Sequence, residues 1–327
     1  MSNKRNYGLD IYRILCCIGV LTYHVMDDVL GKTGGGSGAL YFAASFCVPG
    51  FFLLSGYLLG MRGSLCIEYC ESKVTDIMKK LFFWIVFWVA IHFMRTGEMY
   101  DLWSNVTAGA MSAGILPVAW YLFTYCLIML LGYPLWHLMK KYPYLFVSLS
   151  LMWGILLAFD FGREFLSSKP QSLWLHLYIG YFCIGMSLHI VLGRLRELLK
   201  LKGSIILSIA LCVVATIIYA FKVKTEKVPL FPHNYYGRWF YSIWLISLFW
   251  ICSLVIINGK WQAKLLKKLS ENTFVVYLGH MPVLLYITAD NPLDTTLRAA
   301  VYIIALFVGL EAFAEVFRRM PLLRKLV

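Results

Sequence analysis

The sequence predicts an all-α protein: a polytopic membrane helix bundle of about ten transmembrane helices, with both termini in the cytoplasm. Composition is the first reason, because 60% of the 327 residues are hydrophobic and only 14% are charged, whereas soluble domains have about 25% charged residues. The mean hydropathy of +0.71 agrees with this. Apolar stretches long enough to cross a bilayer also recur along the chain, with basic residues at their ends.

Ten apolar windows are the candidate spans. In chain order they cover residues 10–30, 39–60, 79–95, 117–138, 143–160, 173–191, 203–222, 237–257, 270–288 and 295–317. The longer connections between them are 61–80, 96–116 and 223–236. Neither an internal repeat nor a separate soluble segment is visible, so we expect residues 1–327 to form a single membrane-embedded domain without a fused soluble domain.

The distribution of Lys and Arg predicts the orientation. With the N-terminus inside, the segments expected in the cytoplasm carry 20 of the 30 basic residues, and the outer segments carry nine. This bias follows the positive-inside rule and requires an even number of spans.

The net charge of +13 does not indicate nucleic-acid binding, because the basic residues flank membrane spans. The nine cysteines are scattered, mostly within apolar stretches, and are expected to be small core residues rather than disulfide partners. No His or Cys pair has metal-ligand spacing, so no metal site is expected.

The first span carries ionisable residues at membrane depth, where a charge costs several kcal/mol unless it is paired or hydrated. Arg13 and His24 are eleven residues apart, which places them within about 20° on one helical face and about 16 Å apart along the axis. Asp10 shares that face. Arg13 is either a snorkelling anchor paired with Asp10 or part of a polar site. His24 either bonds a neighbouring helix or belongs to the same site.

Three other spans carry polar residues with two interpretations each. Ser55, followed by Gly56, allows close helix packing, but it is also expected near the depth of Arg13. Trp120 is either an interfacial belt residue or a surface on which a sugar ring stacks. Tyr277 and His280 are i,i+3 neighbours, and His280 serves either a structural hydrogen bond or a site.

In the ninth window, Ser270 and Thr273 fit the residue types that begin a helix. We therefore interpret this pair as helix-start chemistry.

Four segments, in this order, resemble the acyltransferase-3 family of integral membrane O-acyltransferases: LDIYRILCCIGVLTYH from Leu9, FFLLSGYLL from Phe51, AWYL from Ala119, and S-x-x-T-F-x-x-Y-x-x-H from Ser270. The hallmark of the family is an Arg, ten residues and a His in the first helix. The resemblance extends over nearly the whole chain.

The resemblance implies transfer of an acyl group, usually acetyl from acetyl-CoA, to a hydroxyl of a cell-envelope glycan or lipid-linked sugar. It makes Arg13 and His24 the expected catalytic residues. His24 is the candidate general base, with a transient acyl-imidazole as the alternative. Arg13 either binds CoA phosphate or organises the site through Asp10. The expected substrate-binding residues are Asp10, Ser55, Lys73, Trp120, Tyr277 and His280.

The implied setting is a multi-pass protein of the bacterial cytoplasmic membrane. Its expected partners are acyl-CoA, the glycan or lipid-linked acceptor and the lipid bilayer. Acyl-CoA acts as a donor substrate, and no permanently bound cofactor is expected.

One departure from the family concerns the loop before the third span, where members often carry R-x-x-R and then Pro. Here Lys73 keeps a positive charge, Asp76 reverses the second one, and no Pro follows Lys79 and Lys80.

The rival hypothesis is a transporter or flippase for an envelope precursor, with the face of Arg13 and His24 as its path. Transporters commonly show repeated halves, and this chain does not.

Overall fold

The structure is a computed structural model that describes residues 5–28, 44–98, 116–158, 175–226, 239–288, 296–321, 323, 324 and 326. Within these residues, 89% are helical and none lies in a strand. The predicted all-α class is therefore confirmed.

Nine helices make up the described part of the chain. They are α1 (Tyr7–Asp28), α2 (Cys47–Gly60), α3 (Ile67–Thr96), α4 (Ala119–Lys141), α5 (Pro143–Ala158), α6 (Leu175–Glu226), α7 (Trp239–Ser253), α8 (Lys260–Thr288) and α9 (Thr296–Arg319). Five of them, α1, α3, α4, α6 and α9, are long and apolar enough to cross a membrane, and α2, α5 and α7 are shorter apolar helices. The count of ten spans and the cytoplasmic position of both termini stay predictions.

Helix α6 contains two predicted spans, 173–191 and 203–222, in one run of 52 residues. A straight helix of that length measures about 78 Å, far more than a bilayer of about 30 Å. Lys200 interrupts it with φ 55° and ψ −179°, a backbone conformation that is strained for any residue with a side chain. The run is therefore two helices that meet at a kink at Lys200, and this kink lies in the expected connection between the two spans.

Two helices begin earlier than the apolar windows indicate. α3 starts at Ile67, so most of the expected connection 61–80 is helical, and α8 starts at Lys260 rather than near residue 270. Hydropathy detects only the apolar part of a helix, whereas Lys, Glu, Leu and Ala continue the helix beyond it. The interpretation of Ser270 and Thr273 as a helix start is therefore wrong, because both lie inside α8.

Helix α1 occupies the centre of the bundle and packs against α2, α7, α8 and α9. Tyr12, Cys16, Cys17 and Leu21 are completely buried along it. All nine cysteines are free, and six of them are buried, so the expectation of small core cysteines without disulfides is confirmed for most of them.

Helices α2 and α6 cross in backbone contact. A Cβ atom at Gly56 would overlap the carbonyl oxygen of Phe182, and one at Gly185 would overlap the carbonyl oxygen of Leu53. The predicted close packing at Gly56 is confirmed. Because only glycine fits at both points, this crossing holds α2, and with it Ser55, at a fixed depth beside α1.

Candidate active site

Helices α1 and α8 bring together the polar residues of the first and ninth predicted spans. Arg13 Nη1 donates to Ser270 Oγ over 3.2 Å, and the Cys17 thiol lies 3.7 Å from the carbonyl oxygen of Thr273. Farther along, the rings of His24 and His280 have centroids 5.1 Å apart. Residue numbers rise together on both helices, so α1 and α8 run in the same direction.

The two histidines form the far end of this α1–α8 contact. His24 is half-buried and His280 is completely buried. His280 Nδ1 lies 2.5 Å from the backbone carbonyl oxygen of Tyr277. Because a carbonyl only accepts, the hydrogen-bond network assigns the proton to Nδ1 and leaves the Nε2 lone pair available. Nε2 has no partner among the described residues, so it can accept a hydrogen bond from a substrate.

Tyr277 connects the histidine pair to α4. Its hydroxyl donates to the carbonyl oxygen of Val118 over 2.7 Å. Its ring centroid lies 5.7 Å from that of His280 and 5.3 Å from that of Tyr121. The hydroxyl is therefore committed to the backbone, and the ring is the part of Tyr277 that faces the site.

A basic cavity of about 660 Å³ opens at the other end of α1. Its walls come from the two residues before α1, the first turns of α1, the end of α2 and the residues that follow α2: Arg5, Asn6, Leu9, Asp10, Arg13, Leu58, Met61, Arg62, Gly63 and Ser64. Three guanidinium groups thus surround a space of the size that ligand pockets have.

Asp10 is bound by Arg5 within this cavity. Arg5 Nε and Nη2 donate to the two carboxylate oxygens over 2.7 and 2.8 Å. These hydrogen bonds raise the pKa of Arg5, while partial burial acts in the opposite direction. The alternative in which Asp10 pairs with Arg13 is therefore not what the structure shows, because Arg5 holds the carboxylate and Arg13 bonds Ser270.

A second cavity of about 200 Å³ adjoins the first at Arg13, which lines both. Its other walls are Phe51, Ser55, Ile77, Tyr121, Leu122, Tyr125, Thr273, Phe274 and Tyr277. Neither histidine lines this smaller cavity, but Tyr277 does, and its ring lies against that of His280. The cavity is lined mainly by aromatic rings and small hydroxyl side chains.

Three of the six expected substrate-binding residues line neither cavity. His280 is completely buried and contacts the cavity only through the ring of Tyr277. Trp120 is 7% exposed and packs against the ring of Tyr178, with centroids 5.5 Å apart, so it is a core residue rather than an exposed belt residue.

Lys73 is exposed, with Nζ 5.8 Å from the ring centroid of Tyr69. Asp76 forms an ion pair with Lys80 over 3.4 Å. Lys80 thereby neutralises the negative charge that Asp76 brings to this segment.

Sequence reasoning missed Arg62 and Arg5 as cavity residues. The Arg62 guanidinium stacks 3.8 Å above the ring of Tyr69. This stacking fixes the position of the guanidinium, which suits it to bind an anionic ligand. In the sequence, both arginines contribute only to the charge of the predicted cytoplasmic segments. Their position directly beside α1 and α2 was the available signal.

Sequence reasoning also missed a buried polar pair that joins α8 to α9. Asn272 Nδ2 donates to Glu311 Oε2 over 2.7 Å, and Asn272 is completely buried. The signal was a glutamate well inside the tenth apolar window, which is costly unless it has a partner.

The geometry can be compared with known proteins. The family model for acyltransferase-3, described as an acyltransferase domain, matches residues 6–310. The chain belongs to the acyltransferase-3 family. Searches of curated proteins and of solved structures gave no match.

This acyltransferase-3 protein is therefore an integral membrane enzyme that transfers acyl groups other than aminoacyl groups. The family match includes Arg13, His24 and both cavities, apart from Arg5, which precedes it by one residue. Glu311 follows the match by one residue. The roles of the individual site residues are proposed below.

Proposed function

We propose that this enzyme is an O-acyltransferase, most specifically an O-acetyltransferase, of the bacterial cytoplasmic membrane. It moves the acyl group of cytoplasmic acyl-CoA to a hydroxyl of a cell-envelope glycan or lipid-linked sugar. The observation that carries the proposal is the single α1 face on which Arg13 borders both cavities and His24 meets His280.

The larger cavity suits the donor. CoA carries several phosphates, and the planar fork of arginine binds phosphate oxygens in pairs. Arg13 and Arg62 supply two such forks, while Arg5 is already bound to Asp10, the one carboxylate that lines the cavity. The cavity thus favours a polyanion. We place the nucleotide end of acyl-CoA there.

The smaller cavity suits the pantetheine arm. Arg13 and Tyr277 both line it, and the ring of Tyr277 lies beside that of His280. The helical rise places Arg13 and His24 about 16 Å apart along α1. A flexible arm threaded past Ser55 and Tyr121 brings the thioester to the histidine pair, away from bulk water.

At the histidine pair the reaction is nucleophilic substitution at the thioester carbon. His24 removes the proton of the acceptor hydroxyl as its oxygen attacks. The new C–O bond forms, the C–S bond breaks, and the proton held by His24 passes to the CoA thiolate. His280 accepts a hydrogen bond at Nε2 and orients the acceptor, since its Nδ1 is fixed on the Tyr277 carbonyl.

The test is transfer of radiolabelled acetyl from acetyl-CoA to the envelope glycan fraction by purified protein. His24→Gln is expected to lower the rate by about 10²- to 10⁴-fold, the usual contribution of a general base. The matched control is His137→Gln, because His137 is exposed on α4 and lines neither cavity.

Full transfer by a folded His24→Gln variant would exclude His24 as the base. Labelled protein that releases its acetyl group to added acceptor would instead support the acyl-histidine route. Substrate flux across liposomes without acylated product would contradict the proposal and support a transporter. Mass spectrometry of envelope glycans from cells with and without the enzyme then identifies the acceptor.

A further inference from the structure

Glu311 lies inside the apolar part of α9, where a charge is costly unless it is paired or hydrated. It is eight residues before the end of this helix at Arg319, about 12 Å along the axis. Leu310 and Ala314 on either side of it are 5% and 0% exposed, and Glu311 itself is half-buried. The proposed acyl transfer does not use Glu311. The groups around it therefore decide how this carboxyl group is held in the membrane.

The two cations whose field reaches Glu311, Lys268 and Arg318, are held by other carboxylates. Lys268 Nζ lies 3.0 Å from Glu315 Oε2, and Arg318 Nη1 lies 3.2 Å from Glu271 Oε2. Within the part of the chain that the structure describes, no ion pair includes Glu311. An ionised carboxylate at this position would therefore have no cation bound to it among these residues.

The polar groups of α1 and α3 beside this part of α9 are also committed elsewhere. On α1, Cys17 is the titratable residue that interacts with Glu311, but its thiol donates to the carbonyl oxygen of Thr273 over 3.7 Å. On α3, Trp84 packs against α9, and its indole N–H donates to the carbonyl oxygen of Leu326 over 3.2 Å. Neither of these groups serves as a donor to Glu311.

The partner of Glu311 is Asn272 on α8, which is completely buried. Asn272 Nδ2 donates to Glu311 Oε2 over 2.7 Å, and this hydrogen bond assigns the orientation of the amide. The second oxygen of each group, Asn272 Oδ1 and Glu311 Oε1, is buried and has no hydrogen-bond partner among the described residues. An amide oxygen and a carboxylate oxygen can only accept, so an ionised pair leaves two acceptors unsatisfied.

We propose that Glu311 is protonated in the folded protein and that its hydroxyl donates to Asn272 Oδ1. Oδ1 lies beside Nδ2 on one planar amide, and Oε1 lies beside Oε2 on one planar carboxyl group. A carboxylic acid that faces an amide therefore closes a ring of two hydrogen bonds, and a single proton satisfies both remaining oxygens. Neither cavity described above is lined by these two residues. The proposal does not depend on the proposed acyl transfer.

This proton makes the contact between α8 and α9 depend on pH. In the unfolded chain a glutamate loses its proton around its ordinary pKa of about 4.3, whereas Glu311 keeps its proton in the folded chain. Above about pH 5 the folded state thus binds one proton more, so stability falls as pH rises until Glu311 ionises in the folded protein as well. In that range the folding equilibrium constant should fall by up to about tenfold for each pH unit.

Infrared spectroscopy of the full-length protein in detergent near neutral pH tests the proton directly. A protonated carboxyl group has a carbonyl band that carboxylates lack and that shifts in D₂O. The difference spectrum between wild type and Glu311→Gln should contain this band. Glu315→Gln is the matched control, because Glu315 lies one turn further along α9 and is ion-paired with Lys268. The difference spectrum between wild type and this control should contain no such band.

Thermal unfolding at a series of pH values tests the contact. In Glu311→Gln an uncharged amide replaces the acid, and it can exchange the same two hydrogen bonds with Asn272. This variant should fold, and its Tm should fall less with rising pH than the Tm of wild type and of Glu315→Gln. The absence of an acid band that depends on Glu311 would overturn the proposal. Equal pH dependence of Tm in wild type and Glu311→Gln, or failure of Glu311→Gln to fold, would overturn it too.

Discussion

At the scale of single residues, Arg13 is the side chain that connects the two cavities with α8. Its guanidinium lies at the junction of two cavities and donates to Ser270 Oγ from Nη1. One branch of the fork is thus anchored on α8, and the side chain lines both cavities. An anchored fork loses less side-chain entropy when it binds phosphate than a free one does.

This arrangement predicts distinct effects for two substitutions. Arg13→Lys keeps the charge but cannot bond Ser270 and a phosphate with the same geometry, so the KM for acyl-CoA should rise by about tenfold or more. Ser270→Ala removes only the anchor and should raise that KM about two- to tenfold, the value of one hydrogen bond. Steady-state kinetics with varied acyl-CoA measure both.

Ser247→Ala is the control for Ser270→Ala. The buried Ser247 hydroxyl donates to the carbonyl oxygen of Trp244 within the same helix, and Ser247 lines neither cavity, so the KM should not change. An unchanged KM in both Arg13→Lys and Ser270→Ala would remove Arg13 from the donor site.

At the scale of elements, the crossing of α2 and α6 fixes the wall of the site. Gly56 and Gly185 allow the two backbones to touch, and Phe52 on α2 stacks on Tyr178 of α6 with ring centroids 4.8 Å apart. Packing of this kind is the main force between helices in a membrane, where no hydrophobic effect drives them together. The position of Ser55 depends on this contact.

Gly56→Ala is therefore expected to destabilise the fold. The added methyl group meets a backbone carbonyl, which cannot rotate away, so the helices must separate at a cost of about 1–3 kcal/mol or more. Thermal unfolding in detergent should show a lower Tm than that of wild type. Gly193→Ala is the matched control on α6, because a Cβ there meets nothing within 4 Å; a similar loss in both variants would contradict this account of the crossing.

At the scale of the whole molecule, ion pairs join the interior of α8 to the segment just before α1 and to the last turns of α9, on the side of the basic cavity. Glu271 lies 3.2 Å from Arg318 and 3.7 Å from Arg5, and Glu315 lies 3.0 Å from Lys268. Exposed ion pairs contribute about 0–1 kcal/mol each to stability. Their main effect here is therefore to fix the relative positions of these helices. They hold the first, ninth and tenth predicted spans together where the donor is expected to enter.

The predicted orientation places this cluster in the cytoplasm, and labelling tests it. In intact cells, a membrane-impermeant thiol reagent should label Glu98→Cys, just after α3, and should not label Glu197→Cys, near the bend of α6. Both positions are exposed, so their accessibility differs only by sidedness. The exposed Cys66 is first replaced by Ser, and labelling in the reverse pattern would invert the topology.

Much of this organisation is readable from the sequence, for physical reasons. Hydropathy detects spans because the bilayer requires long apolar stretches, and the helical period predicts that Arg13 and His24 share a face. The i,i+3 spacing of Tyr277 and His280 predicts their contact in the same way. Each of these depends on residues close together in the chain.

The limits of that reasoning also have physical causes. The bend at Lys200, the early starts of α3 and α8 and the burial of Trp120 depend on packing or on surface segments that hydropathy does not resolve. The pairing of Asp10 with Arg5 rather than Arg13 depends on side-chain geometry across five residues, which a helical wheel does not describe because Arg5 precedes the helix.

The sequence by itself determined that this is an all-helical membrane protein of the acyltransferase-3 type with an Arg13–His24 face on its first helix, because these properties follow from local periodicity and motif order. Only the tertiary structure decided what that face meets. Ser270 and His280 lie more than 240 residues away in the chain, and only the parallel packing of α1 and α8 brings them to Arg13 and His24. Contacts between distant segments depend on how whole helices fit together, and no short stretch of sequence encodes that fit.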